Sequence, residues 1–270
     1  MAQTIGFIGS GAIATALARL SVAAGLNVLI SNSRGPETLA DLVQELREHA
    51  HAVTPEEAAR AGDLVVLATP LNAYDKLPVQ SLSGKIVIDT TNYYPVRDGQ
   101  IPVLDSAELT SSQLIQQHLK GAKLIKALNH LDSSHLFINA RRDDRLNRTT
   151  LPIVGDDFEA KQAVMQFVDM IGYNAIDIGS LSESWRVEPG TPIHVWPYIP
   201  KLSEGLADEE AQDWFKKTPG TPVSAAQAKD LVARAVRKFP VGGFPEYLPP
   251  VLIAISVKAG RLPASAATKA

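Results

Sequence analysis

Apolar runs alternating with helical patterns predict an α/β fold, a doubly wound parallel sheet with a smaller, partly helical carboxyl-terminal portion. Three observations carry that expectation. The chain opens, from Thr4 to Arg34, with an apolar run, a glycine turn, an alanine-rich helical stretch and a second apolar run. Unbroken runs recur at Leu64-Val65-Val66-Leu67, Ile86-Val87-Ile88 and Leu124-Ile125, as strands buried on both faces require. Beyond Gly179 the alternation stops and prolines crowd in, at Pro189, Pro192, Pro197 and Pro200.

The opening unit is the most specific. Ile5, Phe7 and Ile8 lead into Gly9-Ser10-Gly11-Ala12-Ile13-Ala14, and Val28-Leu29-Ile30 follows the helical stretch that ends near Gly25. Gly9 lets the chain leave the strand in a tight turn, Gly11 presents no side chain to a pyrophosphate, and Ala14 lets the helix pack close to the sheet. The helix N-terminus offers free N–H groups and a partial positive charge. Gly9, Ser10, Gly11, Ala12 and Ile13 are thus the expected diphosphate cradle of a Rossmann sheet. The G-x-G-x-x-A spacing alone arises by chance in a chain with 18 glycines, and the flanking strand and helix supply the context.

The second strand selects the nucleotide. An NAD site carries an acid about 20 residues on that accepts from the ribose hydroxyl. Here the strand runs into Asn32, Ser33 and Arg34, and the first acid is Glu37. A carboxylate repels a 2′-phosphate, whereas a serine hydroxyl and a guanidinium bind one, each charge-assisted bond contributing about 1.5–3 kcal/mol. NADP(H) is the expected cofactor; the alternative is that Arg34 is a solvated loop charge.

The remaining elements follow in order. Pro36 opens a helix with Leu39, Leu42, Val43 and Leu46 on one stripe. After a brief strand near Ala52-Val53, Thr54 and Glu57 have the spacing of a capping box. Strands end at Thr69-Pro70, at Thr91-Asn92 and, after a helix from about Ser111 to Leu119, at Asn129-His130. Ligands of doubly wound sheets lie outside the carboxyl ends of the strands, so Thr69, Pro70, Asn92 and Asn129 are expected to ring the crevice. A strand at Leu151–Gly155, a helix from Asp157 to Ile171 and a strand from Ala175 to Ile178 come next, then a helix-like Ser224 to Lys238. The expected division is residues 1–150 for NADP binding and 151–270 for substrate and dimer contacts.

Composition excludes several classes. With 45% hydrophobic and 20% charged residues the chain is of ordinary soluble globular type, and a net charge of -3 makes no electrostatic case for nucleic acid or an anionic membrane. No cysteine means no disulfide, thiol nucleophile or thiolate metal site, which suits the cytoplasm. A strand almost at the first residue leaves no room for a signal peptide, and the apolar run Val251 to Val257 is too short for a bilayer of about 30 Å. His130 and His135 lack the spacing of paired ligands on one helix face, so no metal is expected.

His130 is the one titratable group expected in the crevice, where an imidazole of ordinary pKa can donate a proton during hydride transfer. It is the catalytic candidate, against a purely structural histidine. Asn92 and Asn129 either bond the nicotinamide end of the cofactor or terminate their strands. Arg186 and Glu188 either contact an anionic substrate or each other. Trp185, Trp196 and Trp214 are expected as core or interface residues.

Taken together, Gly6 to Gly11, Ser33-Arg34, Ile86 to Asn92, Lys126 to Asn129, Val154 to Asp157 with Ala160-Lys161, and Asp177 to Leu181 resemble the family of NADP-dependent 8-hydroxy-5-deazaflavin oxidoreductases, in unbroken order to about Tyr198. The resemblance implies direct hydride transfer between NADPH and a deazaflavin co-substrate, two flat rings stacked in one crevice, with orientation and water exclusion carrying the catalysis. Archaeal members of that family end soon after the matching region, whereas this chain continues to residue 270, and its Trp185 to Pro192 segment holds more proline and glycine. The expected function is therefore an NADPH-dependent oxidoreductase acting on a planar redox substrate such as a deazaflavin or flavin. The alternatives are a reductase of a small carbonyl or imine and a non-catalytic NADP(H) sensor. The expected partners are a small-molecule substrate and a second copy in a homodimer.

Overall fold

The computed structural model describes residues 3–201 and 209–259. Eight strands, β1 Thr4–Ile8, β2 Asn27–Ser31, β3 Ala50–Ala52, β4 Leu64–Leu67, β5 Ile86–Asp89, β6 Lys123–Lys126, β7 Thr150–Gly155 and β8 Asn174–Asp177, form one sheet in the order β3-β2-β1-β4-β5-β6-β7-β8. From β3 to β6 every pairing is parallel. The sheet departs from the all-parallel expectation at one place: β7 runs antiparallel to β6, with Lys126 opposite Val154, and β8 is parallel to β7. Residues 127–149 are long enough for a parallel crossover, but they hold only the six-residue helix Ser133–Ile138 and a short turn, and the chain re-enters the sheet in the opposite sense.

Both faces of the central strands are covered. Leu64, Val66, Ile88 and Ile125 belong to one apolar cluster, and Val65, Leu67, Val87 and Leu124 to another. Successive side chains of a strand point to opposite faces, so a continuous apolar run is what a two-sided core selects. The helix Ala12–Ala23 buries Ala14, Leu17, Ala18 and Leu20 against the first cluster. Thr54 and Glu57 exchange the two bonds of a capping box at the helix Pro55–Ala61, as their spacing predicts. The helix expected from Pro36 begins as a tight turn, Pro36–Leu39, before Ala40–Leu46.

The carboxyl-terminal portion wraps the sheet's carboxyl edge. The expected helix from Ser224 to Lys238 ends earlier, as Ala225–Ala233. Beyond it the Arg237 guanidinium donates to the carbonyls of Ala107 (2.9 Å) and Leu109 (2.8 Å), and Gly243 N–H donates to the Tyr93 carbonyl at 2.7 Å. These bonds pull residues 237–243 across the end of β5. The division expected at residue 150 falls on the first residue of β7, which continues the sheet of the preceding part. None of the described helices is long and apolar enough to cross a membrane.

Candidate nucleotide and substrate site

The glycine turn joins β1 to the helix Ala12–Ala23. Gly9 has φ +113°, and a Cβ there would lie 2.3 Å from the Ala68 carbonyl oxygen, so both the turn and the approach of the β4 end demand glycine. Gly11 is different. Its φ of -71° suits any residue, and a Cβ would meet nothing within 4 Å. The protein gives no packing reason for that glycine, and the space beside it is open. Gly11 is also the N-cap, and no side chain caps the helix it starts, whereas Thr110 and Asp157 cap the helices Ser111–His118 and Phe158–Met170. Uncapped N–H groups with no acid in the first turn fit an anion.

Asn32 ties the second loop to the first. Its amide donates to Ser10 Oγ (3.1 Å) and Thr38 Oγ1 (2.9 Å), while its oxygen accepts from the N–H groups of Arg34 (2.8 Å) and Gly35 (3.0 Å). That Asx-type turn presents Ser33 and Arg34 outward, both exposed. Among the described residues nothing bonds or pairs with the Arg34 guanidinium. Asn32 thus shapes the loop, and Ser33 and Arg34 are left free to meet a ligand.

The ends of β4, β5 and β6 form the other half of the crevice. Thr69 is half-buried and Pro70 exposed. The Asn92 amide donates to the Asn129 carbonyl (2.8 Å), and the Asn129 amide donates to Asn92 Oδ1 (3.0 Å) and the Val187 carbonyl (2.8 Å). The two asparagines therefore clasp β5 to β6 and hold the Val187 loop over them. Asn129, with both amide hydrogens engaged, is a positioning group for Asn92.

Beneath the clasp lies a buried ionic network that sequence reasoning missed. Lys126 and Asp89 are both fully buried, and Lys126 Nζ reaches Asp89 Oδ2 (3.2 Å), the Thr91 carbonyl (2.5 Å) and Ser111 Oγ (3.3 Å). Ser112 donates to Asp89 (2.7 Å), and Ser111 donates to Glu188 (2.6 Å). A lysine inside an apolar strand run was the available signal, since lysine is almost never fully buried unless paired. Glu188 is therefore engaged with Ser111, and Arg186 pairs instead with Glu183 at 2.5 Å while stacking on Trp185. Trp196 and Trp214 are 49% and 39% exposed, so of the core or interface placement expected for them the core is excluded.

His130 does not suit the role of proton donor expected of it. Its ring is fully buried, 5.3 Å from the Tyr198 ring, with Nδ1 3.3 Å from Asn129 Oδ1 and Nε2 unpartnered. Burial, with the nearby His194 and Lys126, pushes its pKa down to about 3, and burial and Lys126 do the same to His194. Both imidazoles are neutral near pH 7 and have no acidic proton to give. Because their folded values are depressed, the unfolded chain takes up protons first as pH falls through about 6.5. Stability is expected to be flat above that pH and to fall below it, by at most about 1.4 kcal/mol per pH unit for each histidine. Urea midpoints at pH 7.5, 6.0 and 5.0 test this; the variant with both histidines replaced by asparagine should lose much of the slope. Among the described residues no group of three or more His, Cys, Asp or Glu is placed to hold a metal ion.

Comparison with known proteins agrees with this geometry. Residues 4–93 match the sequence profile of the family described as NADP oxidoreductase, coenzyme F420-dependent. The chain has the NADP-binding, oxidoreductase-type fold. Metalloreductase STEAP3 of Rattus norvegicus is 28% identical over 198 residues, covering 73% of this chain and 38% of that protein. Metalloreductase STEAP2 of Homo sapiens is 26% identical over 187 residues, 68% of this chain and 35% of that protein. The chain thus spans well under half the length of these curated relatives. Among solved structures, a hypothetical protein from Sinorhizobium meliloti is 28% identical with a TM-score of 0.62, covering 72% of this chain and 93% of that one. A protein provisionally assigned as an F420-dependent NADP-reductase, from Arthrobacter sp. FB24, shares the fold at 22% identity and a TM-score of 0.56, covering 68% and 87%. The profile matched over residues 4–93 covers both the glycine turn and the Arg34 loop of this oxidoreductase-type fold.

Proposed function

We propose that the chain binds NADPH and passes its hydride to a second, planar substrate, a deazaflavin or flavin, in the crevice at the carboxyl ends of β1, β4, β5 and β6. One observation carries the reading: the space that a Gly11 side chain would fill is open, before an uncapped helix N-terminus, and the loop tied to it through Asn32 presents an Arg34 with no partner among the described residues. In this reading residues 1–150 hold the nucleotide, with Gly9, Ser10, Gly11, Ala12 and Ile13 around the diphosphate and Ser33 and Arg34, on the Asn32 turn, at the 2′-phosphate. Thr69, Pro70 and Asn92 border the nicotinamide end, Asn129 holds Asn92, and residues 151–270 supply the acceptor's side of the crevice.

NADPH, when bound, supplies the hydride. The protein's own contribution is to orient two rings and keep water from between them, which needs no nucleophile. The partly buried Asn92–Asn129 clasp and the buried Lys126 network beneath it provide a floor for that task. With His130 neutral, a proton required by the acceptor comes from solvent.

Arg34→Ala should weaken NADPH binding about ten- to a hundredfold and leave NADH binding nearly unchanged, as calorimetry would show. Equal losses for both nucleotides would sink the 2′-phosphate role. Loss of 340 nm absorbance on adding deazaflavin or flavin to protein and NADPH tests the acceptor. Because relatives named metalloreductases match the chain, a ferric chelate belongs among the acceptors. Turnover of small carbonyls or imines alone would reassign the substrate, and no turnover with NADPH bound would make the protein a sensor. The reading also places the reaction in the cytoplasm and expects a homodimer, seen as twice the 29.0 kDa of one chain by light scattering.

A further inference from the structure

The segment after the helix Ala225–Ala233 closes a cleft of about 400 Å³ against residues 190–196, lined among others by Gly190, Trp196, Arg234, Lys238, Glu246 and Tyr247. That volume is in the range of small-molecule sites. Two of its walls are aromatic and held in place. Trp196 is 49% exposed, yet its indole N–H donates to the Tyr247 carbonyl at 2.9 Å. The Tyr247 ring stands edge-on to Phe244, 5.7 Å away, and closes in on Gly190, where a Cβ would lie 2.9 Å from it. Gly190 has φ +86°, so the wall depends on glycine both for its turn and for the ring's approach.

The charges around the cleft are unbalanced. Lys238 Nζ sits 4.7 Å from the centre of the Tyr247 ring and has no acid partner among the described residues. Arg234 has only Asp230, a turn away on its own exposed helix face, a pairing worth little in water. Glu246 is the one acid lining the cleft. The cleft also shares Gly190 and Lys238 with a smaller recess bordered by Glu188 and Arg237, and Glu188 is bonded to Ser111 of the network under β5 and β6. A chain of contacts thus links it to that network.

We propose that this cleft binds a flat aromatic anion, a ring system carrying a phosphate or carboxylate, with the ring against Trp196 and Tyr247 and the anion at Lys238 and Arg234. Stacking favours any flat ring, and an unpaired ammonium over an aromatic face selects those that bring a negative charge. The proposal goes beyond the functional reading by assigning a second ligand site, and it rests on that reading only in calling the ligand an acceptor.

Calorimetry of the full chain without nicotinamide nucleotide, titrated with FMN, riboflavin or inorganic phosphate, tests it. FMN should bind at least tenfold more tightly than riboflavin, which has the same ring and no phosphate, and inorganic phosphate should bind more weakly than either. Lys238→Gln should bring FMN to the riboflavin level, Lys238→Arg should restore the preference, and Trp196→Ala should weaken both flavins alike. Equal binding of FMN and riboflavin by the unaltered chain, phosphate binding as strong as FMN, or FMN binding indifferent to Lys238→Gln, overturns the site. NADPH titrated separately keeps the two readings apart: FMN bound as described with no affinity for NADPH would sustain the cleft and sink the proposed function.

Discussion

Replacing Gly11 by alanine should leave the fold about as firm as before and remove most of its affinity for NADPH. Glycine to alanine stabilises by about 0.4–1 kcal/mol by restricting the unfolded chain, alanine is a poorer N-cap than glycine by a comparable amount, and the new methyl meets no protein atom within 4 Å. On the proposed reading it meets the diphosphate. A loss of at least about a hundredfold in NADPH affinity, near 2.7 kcal/mol, is expected beside a nearly unchanged melting temperature. Gly9→Ala provides the contrast. There the left-handed backbone and the Ala68 carbonyl forbid the methyl, so binding and stability should fall together. If Gly11→Ala bound NADPH as well as the parent, the open space would have no ligand to explain it.

Lys126→Met should be the most destabilising of these changes, by about 3–5 kcal/mol in urea unfolding, because it leaves the Asp89 carboxylate buried without its cation. Ser112 and the Thr91 N–H still donate to Asp89, which limits the damage but cannot replace a charge. Asp89→Asn combined with Lys126→Met should recover part of the loss. Additive single effects, with no recovery, would mean that the two side chains do not act as a pair.

The strands and the nucleotide turn were legible because their causes are local. A run such as Leu64 to Leu67 specifies a strand buried on both faces wherever it falls, and the spacing of Thr54 and Glu57 specifies a cap. The sense of β7 was not legible, since it depends on how far residues 127–149 reach and not on β7's own composition. Lys126 was hidden by its neighbours: Leu124, Ile125 and Ala127 announce a strand, while its partners Asp89, Ser111 and Ser112 are distant in sequence. His130 was misjudged for a related reason. Its place at the end of β6 is readable, but its burial against Tyr198 and His194 is created by the proline-rich segment, whose path no periodicity announces.

The bonds from Arg237 to Ala107 and Leu109, and from Gly243 to Tyr93, have an implication for how such a protein can be altered. The groups proposed to grip the nucleotide lie within residues 9–129, whereas residues 237–243 come to the end of β5 from far along the chain. On the proposed reading, substitutions in that late segment would alter the acceptor's side of the crevice and leave the dinucleotide's side in place.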